Sequence, residues 1–451
     1  MFKKIELWVV LLICIVFFVV LIFYGAVLRD QIIWKKNRFG VLSKLSVEIA
    51  EIPRNSRMLF SLFKDSGADL KISKNEHNEK PSFKRFISND RNELLLLSRY
   101  DGEIKKSIVE IINLNDFKVI HTYSPAIEEI ILKTDKSKEE FKRFKINGSP
   151  NRFQMIHPLI LSNGDLIFKH TDSPLIKINF CGKISWINDQ DPFHHSLEID
   201  EDGNFWVPTR MYPLSRGAQQ YKKGDKFYDD AITKVSPEGK ILYQKSLTEI
   251  LLKASLLHER DFTHTDPFHL NDIQPVLEDG KFWKKGDVFL SLRNSSMIIL
   301  YRPSTSEVIK IIKGPFYAQH DVDIISKNKI SIFNNNVQYT LDGIKTFFTE
   351  ILIYDFNTEK FSKKFNDSLI NNKVLTGSNG LNDFLNDGSL MVEQTDHGRI
   401  LFFNSVGELE WEYLNKASND EIYWLNWSRI INNKELISKI KDLSINSKCK
   451  N

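Results

Sequence analysis

A strand and turn unit recurs along most of this chain and limits the folds open to it. Each copy has a turn of Asn, Asp or Gly, a short strand that alternates between two faces, and then a second turn and an aromatic strand. Such repeats stack around an axis in a β-propeller, whereas a β-sandwich does not require both halves of the unit to recur. The sequence therefore predicts an all-β, six-bladed β-propeller over residues 89–430. Its copies begin near Asn92, Gly164, Gly203, Gly286, Asn328 and Gly388.

Length and charge agree with a globular repeat domain. The chain has 451 residues, and six blades of about 45 residues each account for most of it. The formal net charge of +4 is a small excess of 62 basic over 58 acidic residues, spread along the chain. No concentrated basic surface is indicated, so a nucleic-acid partner is not expected. The sequence does not indicate an oligomeric state.

The N-terminus predicts a membrane helix. Leu7–Tyr24 is an uninterrupted apolar run long enough to cross a bilayer, and only a weak cleavage site follows it. We therefore expect a cytoplasmic tip and an uncleaved transmembrane signal anchor over residues 1–30. Residues 31–88 are expected to form a juxtamembrane helix and a polar linker, and residues 431–451 a polar tail that frays from about Lys439. Basic residues flank the run on both sides, so they do not settle its orientation.

Cysteine usage is sparse. Cys14 lies in the apolar run, Cys181 within the repeats and Cys449 near the C-terminus. A disulfide framework is excluded, although a single bond between Cys181 and Cys449 stays open. No C-x-x-C pair is present to bind zinc, and no cofactor or metal is expected.

Four histidines occupy corresponding points of the repeat and form the candidate active site. His157, His195 and His320 lie seven or eight residues ahead of a repeat-starting turn, and His269 precedes a longer version of the same unit. Matching positions of successive blades meet at one end of a propeller channel, so these side chains are expected to converge. His194 competes with His195, but strand alternation should point only one of them inward, and the spacing to Gly203 favours His195.

Arginines recur at one strand position as well. Arg99 and Arg210 share the offset of Arg293 within the repeat, which predicts either structural or substrate-facing roles for them. His157 has the histidine offset but matches no further motif, so a structural role is expected for it.

Several strings between Phe153 and Arg429 resemble the arylsulfotransferase family of bacterial periplasmic six-bladed propellers. They are HHSLEIDEDGNFWVP, DPFHLNDIQPV, GDVFLSLRNSSMIILYRP, GPFYAQHDVDIISKNKISIFNN and GRILFFNSVGELEWEY, and the resemblance is clearest between His269 and Asn335. It implies sulfuryl transfer from an aryl sulfate ester to a phenolic acceptor through a sulfohistidine, without a nucleotide sulfate donor. Carried over by position, His320 is the nucleophile, while His269, Arg293 and His195 hold the sulfuryl group.

These residue types suit that chemistry. A sulfuryl group in transit carries negative charge on three oxygens, and the planar, permanently charged guanidinium of Arg293 pairs well with oxyanions. Neutral imidazole is a competent nucleophile near pH 7, and a second histidine can act as general base for a phenol. The apolar run predicts a single-pass protein of the bacterial inner membrane, and the resemblance implies that the propeller faces the periplasm or the cell exterior.

An alternative from another functional class stays open. The family has an N-terminal β-sandwich domain and a disulfide near the active site, whereas this sequence has an apolar segment and no cysteine between Cys181 and Cys449. A membrane-anchored propeller that binds a ligand or a protein without catalysis is therefore the second interpretation.

Overall fold

The computed structural model describes residues 6–32, 38–43, 45–50, 52, 70, 72, 82–135, 138–141, 144, 149–222, 227–257, 265–340, 343–447 and 449. The chain divides into two compact units, Met1–Ala68 and Asp69–Asn451. The predicted polar linker lies mostly outside the described residues.

The first unit contains helix α1 (Leu7–Ile32), which includes the whole predicted apolar run. Within the described part of the chain, α1 is the one helix long and apolar enough to cross a membrane. Its apolar side chains are exposed from Leu11 to Leu21. The Tyr24 hydroxyl donates a hydrogen bond to the carbonyl of Ser46 (2.8 Å) in the same unit.

The second unit is built mainly from strands. In chain order they are β1 (Phe83–Arg85), β2 (Leu94–Asp101), β3 (Lys106–Asn113), β4 (Val119–Tyr123), β5 (Ile156–Ile160), β6 (Leu166–Lys169), β7 (Ser173–Ile178), β8 (Ile184–Phe193), β9 (Glu198–Ile199), β10 (Phe205–Arg210), β11 (Asp230–Val235), β12 (Ile241–Ser246), β13 (Leu270–Pro275), β14 (Val288–Leu292), β15 (Met297–Arg302), β16 (Glu307–Ile312), β17 (His320–Ser326), β18 (Lys329–Asn334), β19 (Val337–Thr340), β20 (Gly343–Thr346), β21 (Glu350–Asp355), β22 (Lys360–Ser362), β23 (Leu381–Phe384), β24 (Leu390–Gln394), β25 (Arg399–Phe403), β26 (Leu409–Leu414) and β27 (Arg429–Ile431).

Short helices connect some of these strands. They are α2 (Ile127–Lys133), α3 (Arg216–Tyr221), α4 (Leu247–Lys253) and α5 (Asn366–Asn371), and α6 (Lys434–Asn446) follows the last strand. Short 3-10 helices cover Glu139–Phe141, Arg293–Ser295 and Thr395–His397.

The strands form antiparallel sheets arranged as a propeller. Three sheets have four strands each, in the orders β27-β2-β3-β4, β13-β14-β15-β16 and β17-β18-β21-β22. A fourth sheet has the order β1-β26-β25-β24-β23. Strands β19 and β20, which lie between β18 and β21 in the sequence, form a separate two-stranded sheet. The remaining eight strands form one sheet, β12-β11-β10-β8-β7-β6-β5, with β9 paired to β10. The C-terminal strand β27 thus joins the sheet of the first long strand.

The propeller fold is confirmed, whereas the count of six separate blades is wrong. Four sheets stand as discrete blades, and the repeats that begin at Gly164 and Gly203 share the eight-stranded sheet. The reason is the length of β8, which runs for 10 residues. Its last residue, Phe193, pairs with Thr209 of β10 and so bridges strands that the repeat pattern assigns to neighbouring blades.

The middle strands are buried on both faces because the sheets stack against one another. Every residue of β6, β10, β14 and β24 is buried, whereas the outer strand β16 alternates between exposed and covered positions. Near-continuous apolar runs in the sequence therefore mark the middle strands, and alternating runs mark the outer ones. The core between the sheets consists of separate aliphatic and aromatic clusters rather than one centre.

The turns that start the repeats require glycine for conformational reasons. Gly203 and Gly286 have φ values of +81° and +85°, and a Cβ atom at either position would meet nothing within 4 Å. Space is available there, so the left-handed backbone is what selects glycine.

Buried carboxylates connect successive sheets. The amide N–H of Val322 donates to Asp272 (2.8 Å), that of Asn382 to Asp321 (2.8 Å) and that of Ile430 to Asp383 (3.0 Å). Each bond satisfies a backbone donor at the start of an inner strand with a side chain of the preceding sheet. Burial raises the pKa of Asp272 to about 7, with the charge of Glu198 acting in the same direction.

Within the described residues the C-terminal segment is helical as far as Asn446, which contradicts the prediction that it frays from Lys439. Helix α6 begins with Asn433, whose side chain accepts from the amide of Leu436, and its Ile437 and Ile440 are buried against the core. Beyond it, Cys449 forms a disulfide with Cys181, 268 residues earlier in the chain. This bond fastens the end of the chain to the turn after β7.

Candidate active site

Three of the predicted histidines come together. The ring centroids of His195 and His269 lie 4.7 Å apart, and those of His195 and His320 lie 6.4 Å apart. His195 and His320 each start or precede an inner strand of a different sheet, as the shared repeat offset indicated. His195 and His269 both have a left-handed backbone, with φ values of 55° and 54°. That conformation costs energy in non-glycine residues and recurs at functional sites.

The left-handed backbone at His195 also explains why His194 and His195 are not opposed. Alternation along a regular strand would send their side chains to opposite faces, as predicted from the sequence. A positive φ breaks that alternation, and Nδ1 of His194 instead lies 2.7 Å from Nδ1 of His195. The two histidines form a hydrogen-bonded pair.

This pair extends into a longer hydrogen-bonded string. Nε2 of His195 lies 3.1 Å from Nε2 of His269, and Nδ1 of His269 lies 2.7 Å from a carboxylate oxygen of Asp266. At the other end, Nε2 of His194 lies 3.4 Å from a carboxylate oxygen of Asp230. Asp266, His269, His195, His194 and Asp230 therefore follow one another in space, and we call them the histidine string.

Arg210 lies beside the histidine string and is fully buried among carboxylates. Its guanidinium contacts Asp230, Asp172 (3.4 Å) and Asp266 (3.4 Å), and it lies over the ring of Tyr228 at 4.4 Å. Burial opposes its charge, but the carboxylates offset this and raise the pKa of Arg210. Arg210 thus forms ion pairs with Asp230 and Asp266, the two carboxylates at the ends of the histidine string.

Burial opposes the charged form of the histidines in this cluster. Burial lowers the pKa of His195 well below its ordinary value, and the charges of the neighbouring histidines add to the effect. Burial and the charge of Arg210 lower the pKa of His194. Burial opposes the charge of Asp266 too, but its hydrogen bond with His269 and the nearby Arg210 lower the pKa of that carboxyl.

His320 has a defined tautomer. Its Nδ1 lies 2.6 Å from Oδ1 of Asn335, and the amide group of Asn335 donates to the carbonyls of Thr376 (3.1 Å) and Asn379 (2.7 Å). Because both amide hydrogens are used in this way, Oδ1 must accept and Nδ1 of His320 must carry the proton. Nε2 of His320 therefore holds the free electron pair. Burial, followed by the charge of Arg293, lowers the pKa of His320 to about 3.

Arg293 lies at the start of the 3-10 helix that follows β14. Its backbone N–H donates to the carbonyl of His269 (3.2 Å), which ties the two residues together. The side chain is half-buried and donates to Asn294 (2.9 Å). After burial, the charge of Arg293 is the next cause of the lowered pKa of His320.

The other residues of the repeat pattern have structural roles. His157 is buried in β5 of the eight-stranded sheet, and its Nδ1 accepts from the amide N–H of Leu197 (3.1 Å), the residue before β9. Arg99 pairs with Glu110 (2.7 Å) and Asp101 (2.9 Å) within its own hairpin.

Sequence reasoning missed Asn335 and Trp427. The Trp427 ring lies 6.1 Å from that of His320 and 6.3 Å from that of His195, and its backbone is left-handed (φ 67°). Trp427 precedes β27 much as His195 precedes β9, and this position relative to a strand is the one sequence signal for it. An open cavity of about 150 Å³ beside His195 is lined by Gln154, Ile156, Thr171, His195, Asn379, Thr395, Trp424, Leu425, Asn426 and Trp427.

The arrangement brings together an unprotonated ring nitrogen of His320, two further histidines and the guanidinium of Arg293. Among the described residues, no group of three or more His, Cys, Asp or Glu side chains has the geometry of a metal site. The chemistry available is thus nucleophilic attack by imidazole together with proton transfer and stabilisation of an anion.

The comparison with family models agrees with this chemistry. The model of the arylsulfotransferase (ASST) family matches residues 157–416, more than half of the chain. No curated protein matches significantly. Among solved structures, a protein of unknown function from Bacteroides caccae is similar at 12% identity, covering 76% of this chain and 99% of that one, with a TM-score of 0.46. Virginiamycin B lyase from Staphylococcus aureus is similar at 10% identity over 77% of this chain and 98% of that one, with a TM-score of 0.39.

Proposed function

Because the chain belongs to the arylsulfotransferase family, we propose that it moves a sulfuryl group from an aryl sulfate ester to a phenolic acceptor. The transfer passes through a sulfohistidine on His320 and uses no nucleotide sulfate donor. The observation that carries this proposal is the buried, neutral His320 whose Nδ1 proton is held by Asn335 (2.6 Å). That bond leaves the electron pair of Nε2 free for attack.

The first half-reaction forms the sulfohistidine. The electron pair of His320 Nε2 forms the N–S bond, the bond between sulfur and the aryl oxygen breaks, and its electrons leave on that oxygen. Arg293, His269 and His195 hold the sulfuryl oxygens, where negative charge develops, and fixed donors in a buried site stabilise such charge strongly. The oxygen of Asn335 stabilises the ring, which becomes cationic as the N–S bond forms.

The second half-reaction returns the group to a phenol. The acceptor oxygen forms the O–S bond while the N–S electron pair returns to His320. A phenol has a pKa of about 10, so its attack gains from a general base. A second histidine of the site is proposed as that base.

Intact-mass measurement tests the intermediate. After exposure to p-nitrophenyl sulfate without acceptor, we expect one sulfuryl group retained per chain, and peptide mapping at mildly alkaline pH should place it on His320. His320→Ala should remove both the label and nitrophenol release. His121→Ala is the matched control, because His121 lies on the outer strand β4 and bonds only to Phe180 among the contacts described. Retained transfer by His320→Ala would overturn the proposal and favour the binding-module interpretation.

We also propose that α1 is an uncleaved anchor in the bacterial inner membrane and that the propeller lies in the periplasm or outside the cell. Helix α1 has the required length and composition. The Cys181–Cys449 disulfide supports an oxidising compartment. Protease added to intact spheroplasts should digest the propeller, and full protection would contradict the assignment.

A further inference from the structure

Three loop segments edge the β17-β18-β21-β22 sheet at the end where the candidate active site lies. Residues 313–319 precede β17, which starts at His320, and residues 335–349 connect β18 to β21. Residues 372–380 precede β23, and two carbonyls of that segment accept from Asn335, the partner of His320. All three segments therefore lie beside the proposed nucleophile.

Backbone hydrogen bonds hold these segments together. The N–H of Val337, in the second segment, donates to the carbonyl of Tyr317 in the first (3.4 Å). The N–H of Thr349, at the end of the second segment, donates to the carbonyl of Val374 in the third (3.0 Å). The side chains of the three segments thus belong to one continuous surface.

Five large apolar side chains are exposed on this surface. Each is between 37% and 65% exposed. We call this group the rim patch: Tyr317, Ile344, Phe347, Phe348 and Leu375. Single exposed apolar residues are common, whereas a group from adjoining segments marks an interaction site. The opposite end of the same sheet is different, because its turns have the polar sequences SKNK (326–329) and NTEK (357–360).

The same three segments carry a net positive charge. They contain three lysines, Lys313, Lys345 and Lys373, and one acidic residue, Asp342. All three lysine side chains are exposed. Aromatic and aliphatic side chains beside lysines suit a bilayer surface, because the apolar groups enter the interfacial region while the cations approach anionic headgroups.

We propose that the rim patch docks on the surface of a bilayer that contains anionic lipids, so that the opening beside His320 faces the membrane. The proposal goes beyond the proposed sulfuryl transfer and rests on α1 as the membrane anchor. Such an anchor keeps a bilayer within reach of every copy of the propeller. Because the contact is then intramolecular in effect, even a weak affinity of the patch for lipid gives a populated docked state.

Fluorophores at single cysteines test the docking in the full-length chain. Among the described residues Cys14 is the one free cysteine, because Cys181 and Cys449 are joined. A polarity-sensitive label on Cys14 of the wild type therefore reports α1. In a Cys14→Ala background, a label on Phe348→Cys reports the rim patch.

Val406→Cys in the same background is the matched control. Val406 is also apolar and is 77% exposed. It lies in the turn between β25 and β26, at the end of its sheet that is remote from residues 372–380. A label there should remain in water when the rim patch meets the bilayer.

The labelled proteins are placed as single copies in nanodiscs that contain phosphatidylglycerol, with or without a lipid that carries a doxyl quencher near the headgroup. Interfacial apolar groups lie about 5–10 Å deep, so emission from the label at position 348 should fall about twofold with the quencher. The label at position 14 should be quenched as well, whereas the label at position 406 should not. In discs of phosphatidylcholine alone, the loss at position 348 should shrink and the loss at position 14 should stay.

Quenching at position 14 without quenching at position 348 would overturn the docking and leave the anchor intact. Absence of quenching at both positions would remove the anchor and the docking together. A label at position 348 that is shielded from water but is not quenched by lipid would show that protein covers the patch, which also excludes the proposal. Equal quenching at position 348 in both kinds of disc would exclude a role for anionic lipids. Ile344→Cys provides a second site on the rim patch, so the test does not depend on the folding of one variant.

Discussion

Replacement of Asn335 by alanine tests how His320 is prepared for attack. The side chain of Asn335 makes three buried hydrogen bonds, one from His320 Nδ1 (2.6 Å) and two to the carbonyls of Thr376 and Asn379. Without Asn335, neither tautomer of His320 is favoured by a neighbour. The cationic ring that forms during transfer also loses its hydrogen-bond acceptor.

The expected magnitudes follow from those contacts. Loss of three hydrogen bonds at about 1 kcal/mol each should lower the free energy of unfolding by about 3 kcal/mol. The bond from His320 becomes charge-assisted in the transition state and is then worth about 1.5–3 kcal/mol. About 1 kcal/mol of this is already present in the ground state, so the rate of His320 labelling should fall by about 2- to 30-fold.

Asn334→Ala is the matched control for this prediction. Asn334 is equally buried, and its side chain bonds to the amides of Tyr317 (2.8 Å) and Asn336 (3.0 Å) and to Glu350 (3.0 Å). Its loss should destabilise the protein to a similar extent but leave the labelling rate of the folded fraction unchanged. Rates are compared by quenched intact mass and stabilities by urea unfolding. Equal labelling rates in the two variants would refute the argument that Asn335 prepares the nucleophile.

Three further predictions follow from other contacts. Arg293→Lys keeps the charge but loses the two-pronged geometry, so kcat/KM should fall by an amount equivalent to about 2–4 kcal/mol while some label on His320 persists; wild-type kinetics would contradict this role. Cys449→Ser should lower the free energy of unfolding by about 2–4 kcal/mol, and reductant should lower the Tm of wild type but not of the variant. Asp272 has a raised pKa of about 7, so its contribution to stability is present below about pH 4 and is lost as pH rises through 7. The Tm of Asp272→Asn relative to wild type should therefore rise between pH 5 and 8, and a constant difference would exclude this titration.

Much of the fold was predictable because its causes are local. Gly203 and Gly286 occupy left-handed turns that only glycine adopts easily, and the buried middle strands appear as apolar runs. The repeat offset likewise indicated that His195, His269 and His320 share one region. The joining of two repeats through Phe193 and Thr209 was not predictable, since it depends on where a long strand ends in space.

The sequence by itself determined a repeated β fold, an apolar N-terminal helix and a set of histidines with an arginine at matching positions. These features follow from local composition and from the spacing of residues along the chain, so the sequence alone predicts them. Only the tertiary structure decided the tautomer of His320, the pairing of His194 with His195 and the bond from Cys181 to Cys449. Each of these depends on groups distant in sequence or on a positive φ that breaks strand alternation. A periodic sequence pattern predicts neither long-range contacts nor a positive φ at a histidine.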